Sequence, residues 1–178
     1  HEILKPYDLR MATGDVRLLT AAIEGLSTTA RRKERLKRQI WRPVRFRQLL
    51  DWYSGKADNL PSRVALLADI DARGLDSVLA EAQPALGLRT QAEIVARVES
   101  LQEDAVTKPI PRAEMEVLNT LMAVHGVASE ALGGLRAVQD RLVGFSVAVD
   151  RLEARLQALA EKGVDVDALP FEANFGLT

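Results

Sequence analysis

The sequence predicts a mainly α-helical fold with at most a few short strands. Aromatic residues make up only 4% of the 178 residues, so the core must be aliphatic, a composition that suits helices better than sheets. Apolar residues recur at spacings of three and four along most of the chain, which is the helical period. Prolines and glycines separate these runs at the distances typical of short helices.

Charge and composition exclude several classes of protein. The chain is 47% apolar and 28% charged, so it can build a core. Its net charge of −1 gives no overall field for nucleic acid or an anionic membrane, and we expect neither as a partner. Without cysteine there is no disulfide, thiolate metal site or cysteine nucleophile, which fits a cytoplasmic protein. No apolar run is long enough to span a membrane.

The pattern predicts a short strand over Tyr7–Ala12, followed by a series of helices. These helices are expected after Asp15, over residues 27–41, from Pro43, from Pro61, over Leu75–Leu86, after Thr90, and after the stiff linker Lys108–Pro111. Side chains that accept backbone N–H groups predict three starts, with caps at Asp15, at Ser27 or Thr28, and at Thr90. The helical spacing of apolar residues predicts that Val16, Val44 and Val64 point into the core.

The apolar pattern over Leu135–Lys162 predicts one long helix. Their apolar residues follow an alternating spacing of three and four: Leu135, Val138, Leu142, Phe145, Val149, Leu152, Leu156 and Leu159. Burying one such seam barely offsets the entropy of ordering the helix, so we expect a core helix rather than a free coiled coil.

Two alternatives stay open within this stretch. Leu142–Val149 also alternates with a period of two, as a strand would, and Gly144 could break the helix. Gly133-Gly134 is interpreted as the separator from the preceding helix, and Gly163 as the end of the long one. A second short strand is expected over Pro170–Phe175.

A basic run is the strongest local signal. Residues 31–47 contain nine basic side chains and one acidic side chain. The run predicts a partner-binding basic patch for an acidic protein or a nucleotide phosphate. Its candidate residues are Arg31, Arg32, Arg35, Lys37, Arg38 and Arg42. The alternative interpretation is a solvated helix face, with Trp41 and Phe46 turned into the core.

No pattern predicts catalytic, cofactor-binding or metal-binding residues. His125 precedes Gly126 and is expected at a helix C-terminus, where its charge would suit the helix dipole. Asp165 and Asp167 form a D-x-D pair without the glycine turn and distal glutamate of a calcium loop, so turn capping is expected. Glycine-rich phosphate loops and nucleophile elbows are also missing from the sequence.

Three segments together resemble one family. They are the Asp8–Leu19 passage, with its Gly-Asp pair before a helix, the basic run Arg31–Pro43, and Leu152–Gly176, where a helix leads to a strand. This order resembles the regulatory subunit of ATP phosphoribosyltransferase, a paralogue of histidyl-tRNA synthetase. The resemblance implies that residues 1–178 are a single central fragment of a larger class II synthetase-like α+β domain, with a helical insertion over residues 56–134.

The resemblance also implies a function. Members of this family are non-catalytic and associate with a short-form ATP phosphoribosyltransferase catalytic subunit as oligomers. They support its transfer of a phosphoribosyl group to ATP, the first step of histidine biosynthesis, and mediate feedback by histidine as effector. No cofactor is implied. Two alternatives are a fragment of a histidyl-tRNA synthetase and an unrelated helical interaction module.

Overall fold

The computed structural model describes residues 13–82 and 90–173, and this part of the chain is mainly α-helical, as predicted. Its α-helices are α1 (Val16–Glu24), α2 (Ala30–Gln39), α3 (Pro43–Tyr53), α4 (Pro61–Arg73), α5 (Leu75–Ala82), α6 (Gln91–Val106), α7 (Arg112–Ala123), α8 (Ala128–Arg136) and α9 (Phe145–Glu161). The strand predicted over Tyr7–Ala12, the end of the helix predicted to reach Leu86, and Phe175 lie outside the described residues.

A small sheet closes one end of the fold. Strand β1 (His125–Val127) pairs antiparallel with β2 (Pro170–Glu172), and Gly126 lies opposite Phe171. Thr13 adds a parallel bridge to Phe171, with its N–H donating to the Pro170 carbonyl at 2.8 Å. The sheet therefore joins the chain before α1 to the chain after α9, and β2 confirms the second predicted strand as far as Glu172.

Two of the three predicted helix caps are confirmed. The Asp15 carboxylate accepts from the Arg17 N–H at the start of α1, and Thr90 forms a reciprocal capping box with Glu93 before α6. The cap of α2 is Thr29, so the prediction of Ser27 or Thr28 was wrong by one or two residues. The Ser27 N–H instead donates to the Glu114 carboxylate at 2.7 Å, which keeps Ser27 in the preceding turn.

The single helix expected over Leu135–Lys162 is wrong and the alternative of a break at Gly144 is confirmed, because two helices share the apolar spacing. α8 ends at Arg136, a 3-10 turn covers Gln139–Arg141, and α9 begins at Phe145. Gly144 breaks the run with a left-handed φ of +74°, a conformation that glycine adopts without steric cost. Gly133 and Gly134 do not separate helices, since both lie inside α8.

The expected core role of this stretch is confirmed despite the break. The side chains of Leu135, Leu142, Phe145 and Leu152 are all buried. The spacing persists because both helices and the turn between them pack against the same interior. Side chains of α1–α3, α7–α9 and β2 complete that interior, which we call the main core.

Helices α4–α6 form a separate layer beside the main core, which we call the α4–α6 unit. Its buried apolar side chains, as far as the structure describes them, are Ile70, Leu79, Val98 and Leu101, and none of them joins the main core. Three sequence expectations fail at the surface, because Val16, Val44 and Val64 are exposed. Helical spacing shows which residues share a face, but it does not show whether another layer covers them.

Candidate functional site

A buried ion pair joins the basic helix α2 to the α4–α6 unit. The Arg32 guanidinium donates through Nε to the Asp104 carboxylate on α6 at 2.9 Å, and their side chains are only 5% and 3% exposed. Arg32 also donates to the backbone carbonyls of Asp104 and Lys108, at 2.8 and 3.1 Å. The Arg35 guanidinium reaches the second Asp104 oxygen at 3.0 Å. Asp104 thus holds two of the six predicted patch residues.

Tyr53 completes this junction from the end of α3. Its ring lies 4.6 Å below the Arg32 guanidinium, and its carbonyl accepts from the Ile110 N–H at 2.9 Å. Burial raises the pKa of the Tyr53 hydroxyl to about 12. Arg32 and Tyr53 are therefore buried in a structural contact and are not accessible to a partner.

The other four patch residues divide into two kinds. Arg31 pairs with Glu103, and Lys37 pairs with Glu24 and Glu34, so local carboxylates partly neutralise both cations. Arg38 and Arg42 are exposed and form no ion pair within the described part of the chain. The structure does not bring the six residues together as one surface.

Arg38 and Arg42 instead line a cleft between α2, α3, α4 and α6. The cleft has a volume of about 730 Å³ and contains six arginines: Arg35, Arg38, Arg42, Arg45, Arg63 and Arg97. Asp58 is the one carboxylate among the lining side chains that the structure describes. Two glutamines and the side chains of Leu49, Trp52 and Leu60 complete the wall.

Trp52 organises one side of the cleft. The guanidinium of Arg63 lies 4.5 Å from the Trp52 ring and that of Arg35 lies 5.8 Å from it, which are cation–π distances. The indole N–H of Trp52 donates to the Asn59 side chain at 2.6 Å. Partial burial and the charges of Arg35 and Arg63 lower the pKa of Arg97, because the protonated guanidinium loses water and faces other cations.

An exposed apolar pair lies where the turn after α2 meets the start of α3. The side chain of Trp41 is 60% exposed and that of Val44 is 70% exposed, and Arg42 stands between them in the sequence. The expectation that Trp41 and Phe46 both turn into the core is therefore right for Phe46 and wrong for Trp41. Among the described residues, the lining of the cleft includes neither Trp41 nor Val44.

The sequence did not predict Asp104, Arg63 or Arg97 as part of this site. Arg63 and Arg97 are isolated cations in α4 and α6, far in sequence from the basic run. Asp104 offered one signal, because it lies at helical spacing from the buried Leu101, on the face that an acidic residue should avoid without a partner.

The remaining candidates have local roles. His125 lies in β1 rather than at the end of a helix, and its Nδ1 contacts the Ala123 carbonyl at 2.6 Å. The Asp165 carboxylate accepts from the Asp167 N–H at 3.0 Å, which confirms the expected turn. Within residues 13–82 and 90–173, no cluster of His, Cys, Asp or Glu could hold a metal ion. None of the helices described there could cross a membrane.

Fold and site together define a helical protein with an arginine-lined cleft between two layers. Curated proteins similar to this chain are ATP phosphoribosyltransferase regulatory subunits, which confirms the family resemblance seen in the sequence. The protein from Allorhizobium ampelinum is 28% identical over 185 residues, covering 99% of this chain. Those from Brucella canis and Brucella suis are 30% identical over 129 residues, covering 68% of it.

The chain spans only part of these relatives. It matches 50% of the Allorhizobium ampelinum protein and 34% of the Brucella canis protein. No family model matches the chain, and no solved structure matches it.

Proposed function

We propose that the protein containing this chain is a cytoplasmic, non-catalytic regulatory subunit of an ATP phosphoribosyltransferase complex. It assembles with a short-form catalytic subunit, supports phosphoribosyl transfer to ATP in the first step of histidine biosynthesis, and mediates feedback by histidine. Residues 1–178 form a central, mainly helical fragment of its class II synthetase-like domain, and the helical insertion lies within residues 56–134. The observation that carries the proposal is similarity to curated regulatory subunits over 99% of the chain.

Reconstitution tests this function directly. The complete protein is mixed with a short-form catalytic subunit. Pyrophosphate release from ATP and phosphoribosyl pyrophosphate is then measured, with and without histidine. We expect the mixture to exceed the activity of the catalytic subunit alone and to become sensitive to histidine. The heat-denatured protein is the control. If neither activity nor histidine sensitivity changes, the proposal fails.

We place a contact with the catalytic subunit on the exposed part of the predicted basic patch, at the turn between α2 and α3. Arg42 lies there between the exposed Trp41 and Val44. Tryptophan and arginine are the residues most enriched at the energetic centres of protein interfaces. An arginine flanked by two exposed apolar side chains suits a partner surface with an acidic residue beside an apolar pocket.

A pair of valine variants tests the contact. Val44→Asp introduces a carboxylate into the proposed interface and should abolish co-elution with the catalytic subunit. Val106→Asp makes the same change at the end of α6, where the valine is 84% exposed, and should leave co-elution unchanged. Circular dichroism confirms that both variants fold. Equal co-elution of both variants with the partner would exclude docking at this turn.

A further inference from the structure

The arginine-lined cleft contains more positive charge than its own side chains neutralise. Of its six arginines, only Arg35 forms an ion pair within the described part of the chain, and that pair is with Asp104. Arg63 is held by the Trp52 ring, and Arg38, Arg42, Arg45 and Arg97 form no ion pair there, although the charge of Asp104 acts on Arg97. Asp58 balances one of these charges at most. The cleft therefore has several guanidinium groups available for an anion.

This arrangement has an energetic cost that a bound anion would relieve. Burial and the nearby charges of Arg35 and Arg63 lower the pKa of Arg97, and the charge of Asp104 offsets them only in part. An anion in the cleft converts the repulsion into attraction.

The shape and donor type favour a small phosphorylated molecule over an acidic peptide. A volume of about 730 Å³ lies within the usual range for small-molecule pockets. Guanidinium groups present paired N–H donors that match phosphate oxygens bidentately. Carboxylates of a peptide are spread along its chain, whereas linked phosphates concentrate several negative charges within the length of such a cleft. Nucleic acid is less suited, because the cations line one cleft and the chain as a whole is near neutral.

A second, smaller cavity adjoins the cleft. It has a volume of about 320 Å³ and shares Trp52 and Arg63 with the cleft. Val64, Leu67 and Leu101 contribute apolar surface to it. An organic group attached to the phosphates could occupy this cavity, whereas an inorganic polyphosphate would leave it empty.

From this geometry we infer that the cleft between α2, α3, α4 and α6 is a polyphosphate-binding site. Arg38 and Arg45 bind the phosphate oxygens from one side, and Arg63 and Arg97 bind them from the other. Arg35 and Trp52 hold the wall in place. The site does not depend on the proposed regulatory function, because it is defined by this chain's own cations.

Calorimetric titration of the complete protein, without any catalytic subunit, tests the inference. Inorganic tripolyphosphate is the probe, and we expect saturable binding that weakens as the salt concentration increases. In a separate thermal melt, tripolyphosphate should raise the melting temperature of the protein. ATP as a second probe distinguishes an organic polyphosphate ligand from an inorganic one. Tighter binding of ATP than of tripolyphosphate indicates that the adjoining cavity accepts the organic part, and equal binding indicates an inorganic ligand.

Charge-matched variants locate the binding. Arg38→Gln and Arg45→Gln each remove one exposed, unpaired cation from the cleft and should weaken tripolyphosphate binding by roughly tenfold, the usual effect of losing a charged hydrogen bond. Arg151→Gln removes an exposed arginine of α9, away from the cleft, and should leave the affinity unchanged.

Three results would overturn the inference. Sulfate binding as tightly as tripolyphosphate would indicate an adventitious ion only. Binding of a hexaglutamate peptide or of transfer RNA, with none of tripolyphosphate, would assign the cleft to a macromolecule. Equal loss of affinity in Arg38→Gln and Arg151→Gln would show a general charge effect without a site.

Discussion

The main core and the α4–α6 unit are stabilised in different ways. The main core buries apolar side chains from α1–α3, α7–α9 and β2 in one continuous cluster. The α4–α6 unit buries only a few of its own in the described residues, and it meets the rest of the fold through the Arg32–Asp104 ion pair, the Tyr53 ring and an arginine-lined cleft. Apolar burial thus supports the scaffold, and charge is concentrated where the two layers meet.

This difference explains why the basic run has two roles. Arg32 is used to join the layers, whereas Arg38 and Arg42, on or just after the same helix, face the cleft. Two arginines six positions apart therefore differ in burial, in partner and in what they can contribute to function.

The largest loss of unfolding free energy is expected on substitution of Asp104. Asp104→Ala leaves the Arg32 guanidinium buried without its carboxylate, which should cost roughly 3–5 kcal/mol of unfolding free energy. Urea denaturation measures the loss, and hydrogen exchange should show α6 opening before α9. Glu103→Ala is the control, because its partner Arg31 is exposed, and such a surface pair contributes at most about 1 kcal/mol. Similar losses in the two variants would contradict a structural role for the buried pair.

A second contrast lies within α9. Leu152 is fully buried in the main core, so Leu152→Ala should cost roughly 2–5 kcal/mol. Val147, on the same helix, is 50% exposed, and Val147→Ala should change stability by less than about 0.5 kcal/mol. Thermal unfolding measures both. In contrast to Asp104→Ala, Leu152→Ala should weaken protection from exchange throughout the main core; an effect limited to α9 would disprove a single cooperative core.

Gly25, which caps the end of α1, and Gly133, inside α8, should respond to substitution by alanine with opposite changes in stability. A Cβ at Gly25 would lie 2.8 Å from the Val143 carbonyl oxygen, so Gly25→Ala forces backbone apart and should cost about 1–3 kcal/mol. A Cβ at Gly133, inside α8, meets nothing within 4 Å, so Gly133→Ala should stabilise by about 0.4–1 kcal/mol. Denaturant midpoints measure both. Destabilisation of equal size at the two sites would show that the approach of α1 to the turn before α9 is looser than described.

The smallest effect concerns acid stability at the start of α1. Burial alone would raise the pKa of Asp15, but hydrogen bonds from Arg17 and the charge of Arg155 hold it below its ordinary value of 3.8. A carboxylate whose pKa is lower in the folded state stabilises the fold at pH values above its unfolded-state pKa. This stabilisation is lost as the pH falls through the folded-state pKa. Asp15→Asn should therefore cost about 1 kcal/mol at neutral pH, and the difference from wild type should shrink below about pH 4.

Asp140 provides the control for the acid-stability measurement. Asp140→Asn changes an exposed carboxylate that forms no pair in the described part of the chain, and it should leave the stability–pH curve unchanged. A constant difference between wild type and Asp15→Asn down to pH 2 would show that the Asp15 charge does not contribute.

The sequence predicted local features better than the joining of layers. Caps at Asp15 and Thr90, helix starts at Pro43 and Pro61, and the buried seam of α9 follow from backbone chemistry and helical spacing within a few residues. Apolar spacing does not reveal the break at Gly144, because the spacing continues when two helices pack against one core. Asp104 is 72 positions from Arg32, and no local rule links residues so far apart.

The same limit applied to the candidate site. The basic run identified α2, but spacing could not tell that Arg32 faces the interior and Arg38 the cleft. Arg63 and Arg97 join the cleft only because α4 and α6 pack beside α2 and α3, a tertiary arrangement that the periodicity of each helix does not contain.

Helix α2 carries both an arginine that joins the layers, Arg32, and an arginine that faces the cleft, Arg38. Arg32→Gln and Arg38→Gln remove the same charge from α2, and both variants are measured for unfolding free energy and for tripolyphosphate affinity. Arg32→Gln should lose roughly 3 kcal/mol of stability and keep its affinity within about threefold while folded. Arg38→Gln should keep its stability within about 0.5 kcal/mol and lose about tenfold in affinity. Equal changes in both quantities for the two variants would contradict the division.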